Sequence, residues 1–593
     1  MIMMAELLWE QNIEIRAADI PALTEKIIFA KCFNKVIGPD VLPNSLESIY
    51  FGDEFNRSVG LHVLPDSLES IYFGDGFNQL IEKNILPGSL KFIKFGRSFN
   101  NPIGKNVLPN SLNYIEFGNR FNQPIIEGSL PESLKSMVFG TNFSQPISPN
   151  TLPESLNSIV FGEKSNPLMG PNELPKNLEK IVLGREFNKP IHEGFLPEFL
   201  KIIKFGFKFN QQISPNVLPK SLESIKFGPK FNQQIGPNVL PKSLKSIKFG
   251  HSFNQPISPN TLPDSLAIIK FEQDFDQPIG TNVLPTSLNS ITFGHTFNQP
   301  INPNILPNSL ESITFGYNFN QPISSNTLPD SLISIVFGYA FDQPIGPNVL
   351  PNSIESIRFG YGYDQTIGEN VLPDNLKFIQ FGSKFDQPIM PNILPDSLKS
   401  IIFGYNFDQP IIHDVLPNSL NYIKFGYRYN QLIEPNVLPN SIETILFGNR
   451  FNRSLCENSL PDSLVYIKYD HSYNQSISEL YRLDYVEHIV INGPYTTDLN
   501  VGLLPPSLKY FEINSVYTLR SMNLEPSQMY FSVICNDQRE LLDVAYPILC
   551  RSSQLRVIGH EVIGKERIGS RIYSRLVNPK FYQPRSNAKS ARK

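Results

Sequence analysis

The sequence predicts a right-handed β-solenoid of 22-residue units, with parallel strands on its concave face and a proline-rich, non-helical convex arm. The first reason is the frame. The glycine of an "FG" pair falls at Gly52, Gly74, Gly96, Gly118 and Gly140, and at almost every further step of 22 up to Gly448, with Glu272 the exception. The same frame reaches back to Ala30 and forward through Asp470 and Asn492 to Asn514, without insertion or deletion. Every unit therefore has the same path length, as stacked repeats sharing one elongated core require.

The second reason is the unit itself, F-N-x-P-I-x-x-N-x-L-P-x-S-L-x-x-I-x-F-G-x-x. Its half "LKSIKF", Leu244 to Phe249, has the spacing of the strand segment in leucine-rich repeats. Ile247 and Phe249 alternate with Ser246 and Lys248, so a strand here turns the first pair inward and the second outward. The third reason is proline, at the fourth and eleventh positions, as in Pro256 and Pro263. Proline fixes φ and removes a backbone donor, so no α-helix runs through this arm, and extended or turn structure is left for the return path. The glycine of "FG", such as Gly250, suits a tight bend or close backbone approach just after the strand.

The second position of the unit is Asn or Asp almost throughout: Asn56, Asn78 and Asn100 early, then Asp342, Asp364, Asp386 and Asp408. A short polar side chain recurring beside an inward Phe predicts a buried ladder that bonds the backbone of adjacent turns.

Composition agrees with a packed repeat. Pro 51 and Gly 36 make up about 15% of the 593 residues, below the roughly 25–30% typical of low-complexity chains. Hydrophobic residues are 40% of the chain and 44 residues are Phe, which argues for a core rather than disorder. No apolar run approaches the roughly 18 residues of a membrane span. The start, "MIMMAELLWEQNIEIR", lacks a basic leader and carries Glu6 and Glu10 where an apolar signal core would lie. The expectation is an intracellular, cytoplasmic protein with no membrane partner. Cys32, Cys456, Cys535 and Cys550 are too few and too scattered for a disulfide framework or a metal-ligand spacing.

Charge divides the chain. The formal total is -4, while residues 551–593 hold 11 Lys+Arg against 2 Asp+Glu, or +9, leaving -13 for residues 1–550. The expected organisation is an N-terminal cap over 1–19, a solenoid of about 23 units over 20–518, a C-terminal cap over 519–550 and a basic tail over 551–593. The tail mixes basic residues with Ile, Tyr and Phe. It is a candidate for nucleic acid, for an acidic partner, or for folding back on the acidic repeats.

Nothing in the sequence points to catalysis, a cofactor or a metal. The eight histidines form no H-E-x-x-H or Cys/His cluster, and no G-x-x-x-x-G-K-[ST] loop is present. A catalytic site needs unlike residues brought together once, whereas this chain offers like residues many times. The informative positions are the outward ones that vary. The position before the strand's closing Phe is Lys204, Lys226, Lys248 and Lys270 in four successive units, then Thr292 and Thr314. The position after the glycine carries His251 and His295, then Tyr317, Tyr339, Tyr361, Tyr405 and Tyr427, with Ser383 interrupting. Tyrosines and cations on one face match the composition of interface anchors, which makes these two columns the candidate protein-binding surface. Duplication of units would also copy Lys or Tyr without any ligand.

"FNQPI", "LPDSL" and "IKFG" at fixed spacing resemble the FNIP repeat, a 22-residue unit related to leucine-rich repeats and found in amoebae and in giant viruses that infect them. The resemblance covers roughly residues 20–518. It implies a solenoid for protein interaction, with a host protein as partner if the chain is viral, and no catalytic residues to carry over. Some relatives carry an N-terminal F-box. Here "IPALTEKIIF" already occupies the repeat frame, so a role as a ubiquitin-ligase substrate receptor needs a partner that supplies that module.

Overall fold

The computed structural model describes residues 6–167, 170–493, 495, 504–513, 530–535 and 556–559. The chain divides into two compact units, Met1–Tyr429 and Asn430–Lys593. In the first, twenty strands from Glu6–Trp9 to Tyr422–Lys424 pair in sequence order, every neighbour parallel. In the second, six strands from Thr444–Leu446 to Arg556–Gly559 do the same. The chain is thus a parallel-strand β-solenoid of about 23 repeat turns. Among the described residues the only helical pieces are 3-10 turns at Ala17–Asp19 and Ser478–Arg482. Proline in almost every return arm accounts for that, and the arm that carries Ser478–Arg482 has none.

Most strands are only three residues long, such as Ser246–Lys248. Their register is that of the sequence frame, Ile225 opposite Ile247 opposite Ile269. The frame ends before the ladder does. Glu6 pairs with Lys26, a step of 20, so the segment expected as a cap adds a strand. In the second unit Tyr510 pairs with Tyr530, a step of 20, and Ser532 with Arg556, a step of 24. The remainder of the C-terminal cap and basic tail lies outside the described residues.

The core follows the predicted alternation. Ile247 and Phe249 are fully buried, while Ser246 and Lys248 are half-buried. Two phenylalanines per turn stack on each other and on their copies: Phe249 lies 4.1 Å from Phe253 and 5.0 Å from Phe271, and Phe253 lies 6.0 Å from Phe275. Such pairs add about 0.5–1.5 kcal/mol each beyond the burial of their surface. A seventh core position joins the six apolar ones of the unit. Its ninth residue is buried whether it is Val239, Thr261 or Ser129.

Two turns close each unit. The N–H of Leu244 donates to the carbonyl of Pro241 at 3.1 Å, and the N–H of Phe253 to that of Gly250 at 3.3 Å. Glycine is favoured at the second turn, because a Cβ on Gly250 would lie 1.8 Å from the Gly228 oxygen, although Ala30, Glu272 and Asp470 hold the same place in other units. Between the turns, the eighth position holds the left-handed backbone in unit after unit: Asn216 at φ 65°, Asn238 at 59°, Asn260 at 62°, with Asp40, His62 and Gly128 at the same place elsewhere. Gly adopts this conformation freely, and Asn, Asp and His are the side chains most often found in it.

The Asn/Asp ladder exists, half-exposed rather than buried. Asn232 Oδ1 accepts the N–H of Asn254 at 2.9 Å, and Asp342 Oδ1 accepts that of Asp364 at 2.9 Å. Ser at the thirteenth position makes a second ladder, Ser243 Oγ donating to the Leu222 carbonyl at 2.7 Å. One turn departs from the pattern. Ser165 replaces the first phenylalanine and Leu183 the second, so both ring columns break there, and the fully buried Ser165 hydroxyl has no partner.

Candidate binding surface

Each three-residue strand presents its first and third side chains outward, and the turn that follows presents two more. Copies of one position therefore stand one above another at the strand spacing of about 4.8 Å. Lys204, Lys226, Lys248 and Lys270 occupy the third strand position in direct register. Lys204, Lys226 and Lys270 are exposed. Lys248 is not a bare charge, because its ammonium pairs with Glu272, the residue that replaces glycine in the frame.

Glu272 also faces His251, Nε2 to Oε2 3.7 Å, so it joins the lysine column to the turn column. Burial alone would raise the Glu272 carboxyl, yet Lys248, then His251 and Lys270, bring it below its ordinary value. The turn at Glu272 differs from its neighbours. The Phe N–H to glycine C=O bond, 3.3 Å at Gly250–Phe253 and 3.2 Å at Gly294–Phe297, is missing at Glu272–Phe275.

The turn column is a stack of rings. Tyr317 and Tyr339 lie 4.2 Å apart at 8°, Tyr339 and Tyr361 4.5 Å apart at 3°, and Tyr405 and Tyr427 4.4 Å apart at 6°. His295 is exposed and tilts 51° from Tyr317 at 6.2 Å. Because the rings cover one another, the column shows solvent its edges and hydroxyls rather than its faces. Desolvation within the stack, and then the neighbouring phenols of Tyr317 and Tyr361, hold the Tyr339 phenol above its ordinary pKa, so it remains a donor.

Two further outward features were not read from the sequence. Tyr50, Tyr72, Phe92 and Tyr114 form another stack on the strand face, with ring separations of 4.1, 4.8 and 4.6 Å and the Lys26 ammonium 5.3 Å from the Tyr50 ring. It is hidden in the sequence because it changes position midway: Tyr72 opposes Lys94, while Phe92 opposes Ser70. Burial, and then the Glu116 carboxylate that accepts its hydroxyl at 3.0 Å, push Tyr114 up to about 12. The residue before the strand is opposite in sign between some neighbouring turns, giving ion pairs one turn apart such as Lys201–Glu179 at 2.6 Å and Lys245–Glu223 at 3.0 Å. Exposed pairs of this kind contribute about 0–1 kcal/mol each.

Cys32 and Cys456 are free and exposed. Among the described residues no group of three or more His, Cys, Asp or Glu could hold a metal ion. None of the described helices is long and apolar enough to cross a membrane.

Comparison with known proteins fits this geometry. No curated protein matches the chain. Among solved structures it is similar to CroV588, described as a novel circular LRR protein structure, with 39% identity, a TM-score of 0.78, and coverage of 88% of this chain and 84% of that one. The FNIP Repeat matches from residues 33–76 through 429–470, in successive and overlapping pairs of units. With its frame, ladder and turns all those of one repeated unit, the chain belongs to the family of FNIP-repeat, leucine-rich-repeat-like proteins.

Proposed function

We propose that this chain is a non-enzymatic scaffold that binds a protein partner through the outward columns of its repeats. The observation that carries this reading is the exposed, stacked tyrosine column that follows the in-register lysine run along the same ladder. Large aromatic groups held rigid by stacking bind with little loss of side-chain entropy. The four-unit lysine run and the tyrosine run supply two different chemistries along one ladder, as an extended partner surface requires.

The test is cross-linked capture from cell lysate with the full chain, with a chain ending at Arg551, and with Lys226→Glu combined with Tyr339→Ala, each with and without nuclease. Lys226 is chosen over Lys248 because reversing Lys248 would also place two carboxylates together at Glu272. A nuclease-resistant partner kept by the shortened chain and lost by the double variant supports the reading. Capture that needs residues 551–593 and intact nucleic acid overturns it in favour of a nucleic-acid role for the tail.

A further inference from the structure

The tyrosine column has one empty rung. Tyr361 ends one stack and Tyr405 begins the next, and between them stands Ser383, whose side chain reaches no further than one hydroxyl. The backbone does not register the change. The N–H of Lys384 donates to the Tyr361 carbonyl at 2.9 Å and that of Asn406 to the Ser383 carbonyl at 2.9 Å, as Ala340 does to Tyr317 at 2.8 Å where the column is full. Tyr361 and Tyr405 are therefore held two rungs apart, about 9–10 Å at the strand spacing.

That separation is the thickness of one missing ring. A planar group placed midway lies about 4.5–5 Å from each neighbour, within the range of stacked aromatic pairs. Of the two walls of the gap, Tyr405 is 48% exposed and Tyr361 42%, against 41% for Tyr339, which is covered on both faces, so the open face shows on the Tyr405 side. We propose that the Ser383 rung is a slot for a single aromatic side chain of a protein partner, which completes the stack between Tyr361 and Tyr405. This rests on the reading of the outward columns as a protein-binding surface and names the group that this surface selects.

Two features choose a protein side chain over a nucleobase. The rung has the shape of tyrosine, since tyrosine fills it on both sides. The half-buried carboxylates Asp364 and Asp386, three residues beyond the column on the same turns, repel a ligand that carries phosphate. Lys384 is exposed, with no ion pair among the described residues, and offers its ammonium to a carbonyl of the entering segment.

The experiment uses the full chain and a capped tripeptide of glycine, para-fluorophenylalanine and glycine, followed by fluorine NMR line broadening at millimolar peptide. Broadening by the wild-type chain, kept in Ser383→Ala and reduced about fivefold or more in Ser383→Tyr and in Tyr405→Leu, supports the slot. The same peptide with tyrosine at its centre should compete and one with leucine should not. Equal broadening by Ser383→Tyr, or equal competition by the leucine peptide, overturns the proposal, and stronger competition by adenosine monophosphate overturns it in favour of a nucleobase. Partner capture by a chain that shows no slot binding removes the slot alone; loss of capture on Lys226→Glu with slot binding intact leaves the slot standing.

Discussion

The Oδ1 of Asn232 accepts the backbone N–H of Asn254, one full turn away, and also the side-chain amide of Gln255 at 3.1 Å. The ladder asks only for an oxygen, which is why Asn and Asp exchange freely along it. Asn232→Ala removes the acceptor of two donors, and should cost about 1–2 kcal/mol in denaturant unfolding. Where aspartates are adjacent the ladder stacks like charges about 4.8 Å apart. Asp364→Asn should keep the bond, remove two repulsions, and raise stability by about 0.5–1 kcal/mol at low ionic strength, with the gain shrinking as salt screens it. A gain that grows with salt would contradict this account.

Thr327 occupies the seventh core position at 3% exposure with no partner for its hydroxyl. Val fits the same place in other turns, as at Val239. Thr327→Val should therefore stabilise by about 1 kcal/mol, read from a shift in denaturation midpoint. The same change at Thr151 should not, because its Oγ1 donates to the Ser148 carbonyl at 2.7 Å.

Gly250→Ala drives a methyl group into the Gly228 carbonyl, a contact the backbone must move to relieve. The expected loss is about 2 kcal/mol or more, with weakening of the Phe253–Gly250 turn bond visible as faster amide exchange at Phe253. Glu272 stands at the same position without that turn bond, whereas Asp470 keeps one, with the Tyr473 N–H donating to its carbonyl at 3.2 Å.

Glu272 gives the pH dependence. Its folded pKa lies below the unfolded value near 4.5, so it contributes stability above that pH, lost as pH falls through the folded value. Wild type should be more stable than Glu272→Gln at pH 7, and the two should converge as the solution is acidified below about pH 4. A difference that persists at pH 3 would assign the effect to packing instead of to the Lys248 pair.

Much of this was legible in the sequence because one physical rule is restated every 22 residues. The inward Ile and Phe, the Asn ladder and the glycine turn each follow from a single unit. What escaped notice lacks identity between units. The seventh core position alternates among Val, Thr and Ser, so it does not read as apolar. The ion-pair column is intermittent, with Glu, Lys, Asn, Ala, Ile or Val at the same position in different turns. The strands of Glu6–Trp9, Tyr530–Cys535 and Arg556–Gly559 lie at steps of 20 or 24, outside the frame. The left-handed Asn of each unit was visible in the consensus but has no apolar periodicity to give it a role. The surface columns were legible as letters, and their geometry was not: the sequence cannot say that the tyrosines cover one another's faces, or that Glu272 ties Lys248 to His251.

The turn at Ser165 has a mechanical meaning. A solenoid carries load from rung to rung, and each rung is as strong as its contact with the next. Where Ser165 and Leu183 stand in place of two phenylalanines, the stacked rings that stiffen the ladder are interrupted on both columns at once. A pull along the ladder concentrates its strain there, and the rungs on either side of that joint come apart as two segments before either one unravels from within.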